Sequence, residues 1–196
     1  MKILKICLGI SLALLSVSQL NAQHVKLIEG NLDPLKAEKN VSIEFTYNDM
    51  RVGKYDKEAD YVKDKTADYN KKEPGKGDTW AKNWVGDRKY RFEPKFIELF
   101  EKYAEKTVAA NAKYTIIFNT NFTEPGYNIG ISRKSAEING EAWIVESANH
   151  SNVIAKIKIE KAPGSSFWSG NDFDTGDRLS ESYATAGKGL GKFIKK

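Results

Sequence analysis

Three stretches in the second half of the chain alternate apolar and polar residues at period two. Tyr114, Ile116, Phe118, Thr120 and Phe122 fall on one side, with Thr115, Ile117 and Asn119 opposite. Between Ala136 and Ser147, Trp143 and Val145 oppose Ala142 and Ile144. Val153, Ala155, Ile157 and Ile159 alternate with Lys156, Lys158 and Glu160. Such alternation is the signature of strands with one covered face, and it cannot be satisfied by a helix. The chain must therefore build a sheet and cover one side of it. Earlier, Val41-Ser42-Ile43-Glu44-Phe45-Thr46-Tyr47 repeats the pattern and adds a fourth strand.

The cover comes from helical periodicity. Ala59, Val62, Thr66 and Tyr69 recur at helical spacing within residues 56–72, and Glu73-Pro74-Gly75-Lys76-Gly77-Asp78 breaks the pattern. Phe96, Leu99, Phe100 and Tyr103 stripe a helix that opens at Glu93-Pro94 and ends near Thr107, proline suiting a first turn. A last helix of about 18 residues presents Leu179, Tyr183, Ala186, Leu190 and Phe193 on one face. Asp174 or Thr175 is placed to cap it, with Asp177 in its first turn and lysines in its last, matching the helix dipole. The expectation is an α/β (α+β) two-layer sandwich: one mostly antiparallel sheet of about four strands, helices on one face, and a C-terminal helix. Residues 23–40 read as an irregular lead-in and 41–196 as a single domain; Ser147–Asn152 reads as a hairpin connection.

The amino terminus sets the compartment. Met1-Lys2-Ile3-Leu4-Lys5 is basic, Ile6–Leu15 is apolar, and Leu20-Asn21-Ala22-Gln23 ends on a small residue before a cut. This is the order of a secretory signal peptide over residues 1–22, with cleavage expected near Ala22. The apolar run is too short for a membrane span, which needs about 20 residues. Cys7, the only cysteine, precedes most of the apolar segment and so sits in the wrong place for a lipid anchor. Without it the secreted chain has neither disulfide nor thiolate metal site, and its stability must come from a packed core. Lys2 and Lys5 leave with the leader, so 31 basic residues become 29 against 26 acidic ones, a net charge near +3. An excess that small and dispersed describes a solvated surface rather than a nucleic-acid footprint.

Candidate sites are few. The acidic loop Asn171-Asp172-Phe173-Asp174-Thr175-Gly176-Asp177 suggests calcium, but counting from Asp172 the sixth position is Asp177 rather than glycine and the twelfth Tyr183 rather than glutamate. Helix capping accounts for its acids, and no metal or other cofactor is expected. Gly187-Lys188-Gly189-Leu190-Gly191-Lys192 lies inside a helix with no following serine or threonine, so it is read as packing rather than as a phosphate loop; Gly187 and Gly191 would bring the helix close to the sheet. His24 lies next to the expected new terminus and His150 in the expected hairpin, with no Gly-x-Ser-x-Gly elbow to complete a catalytic set. A pair of carboxylates working as a hydrolase would leave no local spacing to read. Trp80, Trp84, Tyr127 and Trp168 lie in or beside loops, where flat rings can stack on sugars or a partner protein. Trp80 and Trp84, four apart, would share one face of a helical turn over residues 79–85.

Glu124-Pro-Gly-Tyr-Asn-Ile-Gly, Ala136 to Glu146, and Asp174-Thr-Gly-Asp-Arg-Leu-Ser-Glu-Ser-Tyr-Ala-Thr-Ala-Gly-Lys-Gly-Leu-Gly-Lys together resemble small secreted bacterial proteins of unknown function. The element order is similar to envelope domains related to the curli-secretion lipoprotein and to the amino-terminal domain of the Tol-system periplasmic protein. That resemblance implies a helix-flanked sheet and an envelope location; it implies no catalytic residues. The lipoprotein members carry a lipid-anchor motif that this chain lacks. The expected function is that of an exported, non-enzymatic α/β domain, periplasmic or secreted, that binds another cell-envelope component, an envelope protein or a glycan. The alternative is carbohydrate or small-ligand binding through the loop aromatics, and a hydrolase is the third reading.

Overall fold

The computed structural model describes residues 23–128, 131–164 and 175–196. The expected signal peptide, Cys7, Trp168, Asp172 and Asp174 lie outside them. Among the described residues nine strands and five helices follow one another: β1 (His24–Gly30), α1 (Asp33–Lys36), β2 (Asn40–Thr46), β3 (Arg51–Val52), α2 (Glu58–Lys72), α3 (Lys76–Asp87), α4 (Glu93–Ala104), β4 (Thr107–Val108), β5 (Tyr114–Glu124), β6 (Tyr127–Asn128), β7 (Arg133–Lys134), β8 (Glu137–Glu146), β9 (Asn149–Pro163) and α5 (Gly176–Lys195). A single π-helical turn, Arg88–Phe92, joins α3 to α4.

The main sheet has seven strands rather than about four, in the order β1-β9-β8-β5-β2-β4, with β3 beside the end of β5. It is mixed rather than mostly antiparallel. The β1–β9, β8–β9 and β5–β8 ladders are antiparallel, whereas β2 pairs parallel with both β5 and β4, and β3 pairs parallel with β5. The physical reason is the crossover: α2, α3 and α4 all lie between β2 and β5, so the chain returns to the same end before re-entering the sheet. The lead-in is also more ordered than its sequence suggests. His24–Gly30 forms an edge strand against β9 whose alternation is broken by a register shift between Leu27 and Glu29. The β8–β9 connection is shorter than expected, only Ser147 and Ala148, so His150 lies on a strand.

One face of this sheet carries the core. Ile116 and Phe118 of β5, Ile138, Ala142 and Ile144 of β8, and Ala155, Ile157 and Ile159 of β9 are all fully buried. They alternate with half-exposed or exposed Ile117, Asn119, Glu141, Trp143, Lys156 and Lys158, so the sequence period and the burial period coincide. Helices α4 and α5 meet the buried face: the Phe96 ring lies 4.7 Å from Phe118, and Phe45 meets Phe96 edge-on at 5.2 Å. Leu179, Tyr183, Ala186 and Leu190 are buried as their spacing requires, but Ile194 completes the stripe and Phe193 is only half-buried.

Gly187 and Gly191 of α5 face α4 rather than the sheet. A Cβ added at Gly187 would overlap the Phe96 carbonyl, and one at Gly191 would come within 2.8 Å of the Phe100 carbonyl and the Ala104 amide nitrogen. Two glycines one turn apart thus let two helix backbones touch. A similar contact joins the other helix pair, where a Cβ at Gly77 of α3 would overlap the Thr66 carbonyl of α2. Gly187→Ala should therefore lower stability by about 1–3 kcal/mol through overpacking, although helix propensity alone would favour alanine by about 1 kcal/mol. Gly189→Ala, whose Cβ would meet only the flexible Gln23 side chain, should be neutral or stabilising. Urea melts of the two variants check the opposite signs.

Candidate functional site

The π-turn is where α2, α3, α4, α5 and the sheet converge. Its wider backbone turn sends two arginines to different partners. Arg88 pairs with Glu58 of α2 and sits over the Tyr47 ring, its guanidinium carbon 4.1 Å from the centroid. Arg91 pairs with Asp87 at 3.2 Å and with Asp177 in the first turn of α5 at 2.8 Å. Glu58 also accepts the Trp84 indole N–H at 2.5 Å, and the Tyr47 hydroxyl donates to Glu93 at 3.1 Å. Beneath them the Tyr183 hydroxyl hydrogen-bonds Thr120 at 2.9 Å while its ring stacks on Phe92 at 4.9 Å. Burial pushes both the Tyr47 and Tyr183 phenols above the ordinary tyrosine range. These charged groups satisfy one another, and the arrangement is that of a structural junction.

A third arginine fixes the neighbouring surface. Arg178, in the first turn of α5, is 2% exposed and donates to the carbonyls of Pro125 at 3.3 Å and Gly126 at 3.4 Å. It ties the turn after β5 to the start of α5. Gly126 adopts φ +66°, and a Cβ there would come within 2.5 Å of the Lys134 carbonyl, so only glycine fits this turn. The next residue is Tyr127, which is thereby held at the rim of a cleft of about 210 Å³ with Tyr55, Tyr61, Lys65, Glu124 and Thr175. On the other side of the α5 N-terminus, Tyr90, Arg91, Lys95, Glu98, Asp177 and Ser180 line a hollow of about 280 Å³. Gly176 sits between them, with no room for a side chain beside Arg91 and Asp87.

Of Trp80, Trp84 and Tyr127, the described aromatics expected to bind, the structure brings Tyr127 alone to this surface. Trp80 and Trp84 are not in loops: both lie on α3, 3% and 5% exposed, stacked on each other at 5.6 Å and packed against Tyr61 of α2. Their faces are used up inside the helix pair, which leaves none for a sugar. Tyr90 was not singled out by sequence, yet it is 80% exposed on the π-turn, and nearby Val85 is 54% exposed. The only sequence sign was Arg88-Lys89-Tyr90-Arg91, an aromatic among cations between two helices. Thr175 is the N-cap of α5 but makes no side-chain cap, and Asp177 is held by Arg91. Among the described residues no three His, Cys, Asp or Glu side chains group as metal ligands. His150 lies 4.0 Å from Glu44, exposed at the end of β9.

No protein-family model and no curated protein sequence matches the chain. Among solved structures it is similar to two of the PelC dodecamer from Paraburkholderia phytofirmans, at 11% and 12% identity and a TM-score of 0.37 each. Those alignments cover 84% and 83% of this chain and 97% of theirs. It is also similar to protein XCC0632 of Xanthomonas campestris, of family DUF330, at 12% identity and TM-score 0.36, over 78% of this chain and 80% of that one. These are not the curli-secretion lipoprotein or the Tol-system domain that the element order suggested. Likeness this distant assigns no function.

The arginine tie generates a test. Arg178→Met should keep the stem's packing but leave the two carbonyls without their donor, costing about 2–3 kcal/mol, since hydrogen bonds to charged groups are the stronger class. The thermal midpoint checks the cost, and faster hydrogen exchange confined to residues 124–128 and 176–180 checks its location.

Proposed function

We propose that the protein is an exported, non-catalytic domain that binds another protein of the cell envelope, using the surface around the N-terminus of α5. The observation that carries this reading is Tyr90. A tyrosine left 80% exposed on a turn that two arginine ion pairs hold in place is a rigid aromatic anchor without a local packing role. Tyrosine and arginine are enriched in the energetic centres of protein interfaces, because the ring buries much area at little entropic cost and the guanidinium makes several hydrogen bonds. Val85, on the last turn of α3, is also exposed, and Tyr127 with Tyr55 adds a second aromatic contact across the helix terminus. The reading includes the expected leader: cleavage near Ala22 would release a chain that begins beside β1. No helix among the described residues is long and apolar enough to cross a membrane.

Small-ligand binding by aromatics keeps one supporting observation, the cleft under Tyr127. At about 210 Å³ it is below the roughly 300–1,000 Å³ of typical ligand pockets, and it suits a partner's side chain better. The two readings separate by experiment. Capture from envelope extract on immobilised mature protein should retain a discrete partner, and Tyr90→Ala with Val85→Ser should weaken that capture roughly tenfold with an unchanged melting temperature. Equal capture by wild type and the double variant would overturn the assignment of this surface.

A further inference from the structure

The outer face of the sheet, away from α4 and α5, contains a hollow whose construction the core does not require. Register shifts interrupt β5–β8 between Thr120 and Phe122, and β8–β9 between Ile138 and Gly140, at the same level of the sheet. Asn121 is the surplus residue on β5. On β9 the surplus falls at Glu160 and Lys161, where Lys161 takes φ +54° and its N–H donates to the Asn139 side-chain oxygen at 2.7 Å. Asp49, between β2 and β3, has φ +53° and closes one wall. Aligned bulges bend a sheet and re-aim its side chains, and a lysine holds positive φ only where its surroundings impose it. The result is a concavity of about 520 Å³, lined by Asp49, Arg51, Asn121, Phe122, Asn139 and Glu160 among others.

The chemistry of the lining narrows what it can hold. The side chains of Asp49 and Asn121 have no hydrogen-bond or ion-pair partner among the described residues, and neither has the side-chain amide nitrogen of Asn139. The two cations are already compensated: Arg51 pairs with Asp56 at 3.3 Å and Lys158 with Glu160 at 2.7 Å. What remains is a carboxylate acceptor, one complete amide, the donor half of another and the half-buried ring of Phe122. A ligand that answers this set carries neighbouring hydroxyls, each both donor and acceptor, on an uncharged frame with an apolar C–H face for the ring. We propose that the hollow is a binding site for a neutral saccharide. Its volume lies within the roughly 300–1,000 Å³ of ligand clefts, so a short oligosaccharide fits better than a single ring. The site is separate from the surface assigned to a protein partner, and either assignment can fail alone.

The test is an amide-resolved NMR titration of isotope-labelled mature protein with cellobiose, diacetylchitobiose and maltotriose, and with digalacturonate as a charged counterpart. At least one neutral sugar should shift the backbone amides of Asn121, Asn139 and Lys161 saturably. Asn121→Ala and Asp49→Asn should each weaken that binding roughly tenfold, the loss expected for a hydrogen bond to or from a desolvated polar group. Asparagine keeps the positive φ that Asp49 needs, so the second variant leaves the loop conformation intact. Absence of shifts with all three neutral sugars, stronger binding of digalacturonate, or binding undiminished in both variants would overturn the proposal. Shifts clustered instead around Tyr127 would overturn it too and would locate a sugar at the other cleft.

Discussion

The close approach of α5 to α4 is the contact on which the rest of the structure depends. Gly187 and Gly191 remove two side chains at the crossing, and the backbone of α5 then lies against the carbonyls of Phe96 and Phe100. Only at that separation can Leu179, Tyr183, Ala186 and Leu190 reach the sheet while Phe96 and Phe100 stay fully buried beside them. Each large apolar side chain buried this way contributes roughly 1.5–3 kcal/mol before entropy. The same placement brings the first turn of α5 to the π-turn, so that Asp177 meets Arg91 and Arg178 meets the turn at Pro125 and Gly126. Core packing and surface geometry are thus two ends of one helix.

The two faces of the sheet divide the remaining work. The inner face is shut and almost wholly apolar, its buried Thr120 hydroxyl satisfied by Tyr183. The outer face is polar and interrupted by bulges that the core does not need, which is where a reading of function gains a foothold. Around the α5 N-terminus, ion pairs spend their charges on each other and leave exposed tyrosine rings on a stiff base. In the outer hollow the reverse holds: cations are paired off while an amide, part of a second and a carboxylate stay open. Rigid aromatics suit a protein surface, and open planar polar groups suit hydroxyls.

Much of this was legible in the chain. The alternation at 114–120 and 155–159 and the stripe from Leu179 to Leu190 required the buried sheet face and its helix, because period and burial are the same physical fact seen twice. Phe122, expected on that face, is turned to the outer one by the surplus residue Asn121, and the period also slips at Ile154, between Val153 and Ala155. Edge strand β1 was not legible: Val25 and Leu27 alternate for too short a distance before the bulge, and its partner lies more than a hundred residues away. The paired glycines announced a close approach but not its object, since α4 and the sheet both lie within reach of that stripe. Trp80 and Trp84 shared a face as their spacing required, yet whether that face met water or Tyr61 depended on how α2 folds back. Tyr90 and the bulges at Asn121 and at Glu160–Lys161 left no periodic sign, because each depends on a local departure from periodicity.

The central claim is that α5 is locked to α4 and the sheet as part of the cooperative core. Native-state hydrogen exchange of the α5 amides from Ala186 to Gly191 tests it most directly. If the account is right, these amides exchange only by global unfolding, with the same free energy and denaturant dependence as the β5 amides at Ile116 and Phe118. Exchange of the α5 amides through a lower-energy local opening, while those of β5 remain protected, would contradict it.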